Sequence, residues 1–185
     1  LIPALVTGVV IVVSAGWLTR RWHRRDRDSL RRPDLVQSGI PEIFEQYEIC
    51  DALGLGQTAT THKGFDPMLR RDVVVKVLHP YLLDKDAAKR MEREGRILAK
   101  LDHPAIPNVI EIVRKPDALA LVEEYIAGES LAHILAERGS LSLTETLAII
   151  RPVASALDHA HQNGIVHHNV SPDNILVTFT KPNEE

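Results

Sequence analysis

The chain has 185 residues, 44% of them apolar and 25% charged, with a formal net charge of −3. That is enough for one globular domain plus an appendage, and it gives no overall pull toward nucleic acid or anionic surfaces. A single cysteine, Cys50, excludes an internal disulfide and a Cys-based zinc site; it is expected to be a small buried apolar side chain and is compatible with a reducing compartment.

The chain opens on Leu1, which reads as a processed end or a fragment. Residues 1–18, LIPALVTGVVIVVSAGWL, carry no charge. At about 1.5 Å per residue a helix of this length spans roughly 27 Å, close to the thickness of a bilayer core. Trp17 and Trp22 stand at its end, followed by Arg20, Arg21, Arg24, Arg25 and Arg27 and then Arg31 and Arg32. Aromatic anchors and arginines after the apolar run predict a single-pass helix in the cell membrane with the following domain cytoplasmic. A secretory signal would carry its positive charge before the apolar run, and a buried core helix rarely ends in clustered arginine. The arginines would suit anionic lipid head groups. No aromatic-interleaved basic surface follows, so nucleic acid is not an expected partner. Residues 19–45, with Pro33, Gly39 and Pro41, read as a basic juxtamembrane linker.

Past Tyr47 the pattern turns strand-like. YEICDALGLG and DVVVKVL read as strands bracketing a glycine turn. DKDAAKRMEREGRILAKL reads as a helix with Met91, Ile97, Leu98 and Leu101 on one side. NVIEIVRK and LALVEEYI are two further short strands. SLAHILAERG is a helix stopped by Gly139, and LTETLAIIRPVASALDHAHQNG is a long helix closed by Gly164, with Pro152 inside its pattern. Strands first and helices later give an α+β fold with segregated layers.

Chemistry-bearing residues occur in series along this frame. Gly54-Leu55-Gly56-Gln57-Thr58-Ala59-Thr60-Thr61 is a glycine loop whose two glycines allow close approach of backbone to a ligand. Lys76 lies in VVVKVL, where an unpaired buried charge would be costly. Glu94 follows in MEREGRIL, with Glu92 beside it. LVEEYIAGESL and then Ile165-Val166-His167-His168-Asn169-Val170-Ser171-Pro172-Asp173-Asn174-Ile175-Leu176 complete the series.

On these motifs, in this order, residues from Tyr47 to Val177 resemble a bacterial eukaryotic-like Ser/Thr protein kinase, degenerate in its catalytic loop. The resemblance implies a complete small lobe and hinge over residues 46–127, an antiparallel sheet with one long helix. It also implies the first part of a helical large lobe over residues 128–185. It implies ATP and Mg²⁺ as ligands, with Leu53, Gly54, Gly56 and Thr61 around the nucleotide and Lys76 on its α- and β-phosphates. Glu94 would orient Lys76, in better register than Glu92, and Glu124, Tyr125 and Ile126 would offer backbone groups to adenine. Ala59 replaces the family's third glycine, and its methyl is expected to narrow the room above the phosphates. Glu123 stands where the family usually has an apolar residue. Either it reaches Lys76 and competes with phosphate, or the register is displaced by one residue.

The catalytic loop departs from the family's H-R-D-x-K-P-x-N run at three places. His168 replaces the arginine, Asn169 the proton-accepting aspartate and Ser171 the lysine that steadies the transferring phosphoryl group. Asn174 remains as a weak Mg²⁺ ligand. An amide takes no proton at neutral pH, and positioned proton transfer is typically worth ~10²–10⁴ in rate. A diverged loop that catalyses slowly is the alternative. His159, His161, His167 and His168 do not read as a metal site, since His159 and His161 face different directions on a helix.

After Val177 the chain reads TFTKPNEE, where the family would continue to the D-F-G aspartate that holds Mg²⁺. The chain is therefore expected to be an incomplete piece or to pair with a protein partner, leaving an apolar face exposed on the helix from Leu143. Three functions compete: a membrane-anchored pseudokinase acting in regulation or scaffolding, a fragment of an active transmembrane Ser/Thr kinase, and a decayed product with no stable fold.

Overall fold

The computed structural model describes residues 6–11, 46–55, 58–83 and 86–179. They fall into two compact units, one containing residues 17–100 and 108–125, the other residues 1–16, 101–107 and 126–185.

The first unit is built on a five-stranded sheet. Strand β1, Val6–Ile11, belongs to the other unit. The sheet strands are β2 (Glu48–Leu55), β3 (Ala59–Asp66), β4 (Arg71–Leu78), β5 (Val109–Lys115) and β6 (Ala118–Glu124), in spatial order β2-β3-β4-β6-β5. Every pairing is antiparallel. Alternation sorts the side chains to two faces. One face packs Tyr47, Val73, Val75, Val77, Val113, Ala118, Ala120 and Val122. The other packs Leu78, Leu119 and Leu121 against Ala88 and Met91 of helix α1, Asp86–Leu98. β6 is buried on both faces, so it reads as a continuous apolar run until Glu123.

The turn from β3 to β4 is held by Asp66, whose carboxylate accepts from the backbone N–H of Met68 and of Leu69, both at 3.0 Å. Tyr47 donates its phenol to Glu111 at 3.0 Å, and burial with that carboxylate pushes the phenol up to about 12. Helix α1 buries Met91 and Leu98, as its periodicity predicts, and Leu101 beyond its end is buried too. Ile97 is only half-buried. The innermost position is Gly95, where a Cβ would stand 2.9 Å from both Ile112 Cδ1 and Leu121 Cδ1. Cys50, expected inside, is exposed on edge strand β2.

In the second unit, β7 (Glu129–Ser130) leads into α2 (Leu131–Arg138), capped by the Ser130 side chain, which accepts from the His133 N–H. α2 ends at Gly139, whose φ of 76° suits a residue without a Cβ. α3 (Leu143–Gln162) starts on a capping box between Ser142 and Glu145 and tolerates Pro152 inside it. Hydrogen bonds from Ser142 and then Arg138 hold the Glu145 carboxyl down at about 2. Along α3, Leu143, Leu147 and Ile150 are exposed on one face, as the sequence predicts. A single 3-10 turn, Pro172–Asn174, enters β8, Ile175–Phe179. β8 pairs antiparallel with β7 on one side and β1 on the other.

That last pairing departs from the expectation for residues 1–18. Where a membrane-spanning helix was predicted, Val6–Ile11 form a strand. The run is rich in β-branched residues, and an uninterrupted apolar stretch has no period that separates strand from helix. The rest of the run and the 19–45 linker lie outside the described residues. Among the described residues no helix is long and apolar enough to cross a membrane.

The Gly95 contact yields a stability prediction. Gly95→Val should force α1 off the sheet and cost about 1–3 kcal/mol, the usual penalty for overpacking a core. Denaturant unfolding of the two proteins measures it.

Candidate functional site: a lysine row in the sheet and the loop around Asn169

β-pairing lines up the sequence-predicted residues of the first unit. Gly54 in β2 lies opposite Thr61 in β3, and Thr61 lies opposite Lys76 in β4. Directly opposed residues share a sheet face, so Thr61 and Lys76 present side chains to the same side, with a glycine beside them. Leu53 is half-buried next to Gly54. A Cβ at Gly54 would meet nothing within 4 Å, so packing does not require the glycine there. Gly56 lies outside the described residues. Ala59 is 1% exposed at the start of β3, so its methyl is packed into the unit rather than held out over the loop, contrary to the sequence expectation.

The structure also reassigns the partner of Lys76. Glu94 makes no hydrogen bond or ion pair among the described residues. It is half-buried, and burial raises its carboxyl above the ordinary carboxylate value, partly offset by Arg90 and Arg93. Glu92 pairs with Arg114. Lys76 instead forms an ion pair with Glu123 of β6. The register explains the choice: Lys76 stands opposite Leu121 and Val74 opposite Glu123. Lys76 and Glu123 are therefore diagonal neighbours on one face of adjacent strands, within reach of long side chains. Both are almost wholly buried, at 2% and 5% exposure, which makes a partner obligatory for each.

Beyond Glu123, the Glu124 backbone N–H is already committed to the Asn108 carbonyl at 2.9 Å. The Glu124 carboxylate accepts from Asn108 Nδ2 at 3.2 Å. Lys63 sits 4.6 Å from the centroid of the Tyr125 ring. In the second unit, the Ile126 carbonyl accepts from the Gly128 N–H at 3.0 Å.

The catalytic-loop residues come together within the second unit. His167 is 4% exposed. Its Nδ1 and its carbonyl both accept from the Asn169 N–H, at 3.2 and 2.8 Å. Asn174, 2% exposed, donates its side-chain amide to the Asn169 carbonyl at 2.9 Å and its backbone N–H to Ser171 at 3.0 Å. Both main-chain groups of residue 169 are thus pinned, one by a histidine and one by an asparagine. His168 takes a positive φ of 57°, uncommon for a residue with a Cβ. Asn169 and Ser171 are half-buried, and neither is a base or a cation.

Among the described residues no group of three or more His, Cys, Asp or Glu side chains is placed to hold a metal ion. Asn174 offers one amide oxygen, and a lone amide falls well short of the oxygen shell a hard cation demands. Sequence reasoning missed the orienting bonds around Asn169 and a second histidine pair. His103 bonds Ser155 at 3.0 Å and lies 5.5 Å, centroid to centroid, from His159, whose Nε2 is buried without a partner.

Comparison with known proteins adds to the geometry. The family model described as protein kinase domain matches residues 47–183. Serine/threonine-protein kinase PrkC of Bacillus subtilis is 35% identical over 136 residues, covering 73% of this chain and 21% of that protein. Serine/threonine-protein kinase PknB of Mycobacterium leprae is 34% identical over 145 residues, covering 76% of this chain and 23% of that protein. The chain therefore spans about a fifth of the length of these relatives. Among solved structures, Rad53 1-466 in complex with AMP-PNP aligns with a TM-score of 0.64 at 26% identity, covering 75% of this chain and 38% of that one.

The exchanged partner of Lys76 predicts opposite effects for two conservative substitutions. Glu123→Gln leaves a buried ammonium without its counter-charge and should destabilise by about 3–5 kcal/mol. Glu94→Gln removes a carboxylate that burial disfavours and should raise the melting temperature at pH 7. That gain should shrink as pH falls, because the folded wild type takes up its proton above the ordinary carboxylate value of 4.5, and it should be gone once the pH is below that value. Thermal melts of the two variants across this range are the measurement.

Proposed function

This chain belongs to the protein kinase domain family, and from that footing we propose that it is a catalytically impaired, pseudokinase-like member that binds an adenine nucleotide and acts by regulation or scaffolding. The observation that carries the reading is Asn169. Its backbone is held in place by His167 and Asn174, yet the side chain at that place is an amide. A scaffold for positioning a base is kept while the base is gone. Ser171 likewise brings no positive charge to a developing negative one, and such charge stabilisation is usually a large part of catalysis.

Nucleotide binding is supported by the row of Gly54, Thr61 and Lys76 and by the adenine nucleotide named with the solved relative. The relatives' own names favour a second reading, in which the chain is part of a working Ser/Thr kinase that transfers phosphate slowly.

Incorporation of labelled phosphate by the full-length protein separates the two. The impaired reading expects turnover far below the ~1–100 s⁻¹ of ordinary kinases. It also expects Asn169→Asp combined with Ser171→Lys to raise any residual rate by ~10²–10⁴. Wild-type turnover at ordinary rates that vanishes in Asn169→Ala would overturn it.

We also propose that the apolar run and arginines of residues 1–32 anchor the protein to the membrane. A membrane helix and the pairing of Val6–Ile11 with β8 are mutually exclusive. Retention of the protein in membranes after an alkaline carbonate wash is the outcome this anchor requires, and release into the wash would rule the anchor out.

A further inference from the structure

We propose that Glu123 acts as a built-in anion that occupies Lys76 in place of a nucleotide phosphate, so that this chain favours an uncharged nucleoside over a nucleoside triphosphate. The inference rests on the nucleotide-binding reading above and specifies which ligand class that site selects.

Four observations lead to it. The Lys76 ammonium is the cation in the Gly54–Thr61–Lys76 row, and it is already paired. Its partner is a diagonal neighbour on the next strand of the same sheet. Both groups are buried, so their attraction is weakly screened by solvent. The helix glutamate that could hold Lys76 without opposing a phosphate, Glu94, takes no part.

The electrostatic consequence is direct. To an approaching phosphate, an isolated ammonium is a full positive charge, whereas a Lys–Glu pair is nearly neutral. A phosphate that displaces Glu123 leaves a carboxylate buried and unpaired beside it, which is doubly unfavourable. A nucleoside carries no charge and has nothing to displace. Glu123 is therefore a specificity-determining residue, and its carboxylate, not its size, sets the preference.

The test is calorimetric titration of the full-length protein with adenosine and with ATP, in wild type, Glu123→Gln and Glu123→Met, and in each combined with Lys76→Met. Removing the carboxylate should tighten ATP binding by at least about tenfold, equivalent to about 1.4 kcal/mol, and leave adenosine within twofold. Adding Lys76→Met should abolish the gain. The glutamine keeps the size of the side chain and the methionine packs as an apolar residue, so agreement between them separates charge from shape. The double variant Lys76→Met/Glu123→Met carries no buried charge and serves as the folding control. Unchanged ATP affinity in both single variants overturns the proposal, as does an equal gain for ATP and adenosine. If wild type already binds ATP much more tightly than adenosine, and Lys76→Met removes that advantage, this inference fails while the nucleotide reading stands. If no variant binds either ligand, both fail.

Discussion

The buried ion pair between Lys76 and Glu123 constrains the first unit more than any other contact. Two charges have been taken out of water into the middle of an antiparallel sheet, flanked by strands of valine, leucine and alanine. Each makes the other tolerable, and neither position can be made polar or apolar alone without leaving a stranded charge. The pair also pins the register of β4 against β6. A one-residue slip would carry each charge to the opposite face, among Val73, Val75 and Val122.

The second unit holds the backbone of residue 169 in a fixed frame around an amide side chain. His167 and Asn174 spend their hydrogen bonds on the backbone of residue 169, and the strained φ at His168 persists within that frame. Such bonds are structural debts of the loop, independent of what side chain it displays. Asn169 is close in size to an aspartate and accepts the same frame, so loss of the charge need not disturb the fold. A protein partner for the exposed Leu143, Leu147 and Ile150 would fit a role played through surface and shape.

Much of this was legible in the residues. The strands β2, β4, β5 and β6 and the three helices follow from alternation and helical period, and the helix ends at Gly139 and Gly164 from the need for positive φ, whereas β3, β7 and β8 are not read as strands. The degenerate loop is visible as letters. What was not legible depends on pairing between distant segments. Glu94 looked like the lysine's partner because family spacing favours it; the actual partner is chosen by strand register, which brings residues 76 and 123 together. Cys50 reads as apolar in isolation, but an edge strand has a side with nothing packed on it. The Val6–Ile11 run is apolar enough for either a membrane or a sheet, and its pairing with β8 depends on a segment far away in sequence.

Gly95 bears on how such a domain could signal. The notch it leaves seats α1 directly on Ile112 and Leu121, so the helix is located by steric fit. Among the described residues, the neighbouring Glu94 forms no hydrogen bond or ion pair with the sheet. Lys76 and Glu123 lie on the same sheet face as Leu121, on which α1 rests, so a change at the ion pair reaches the helix through packing and not through a salt bridge.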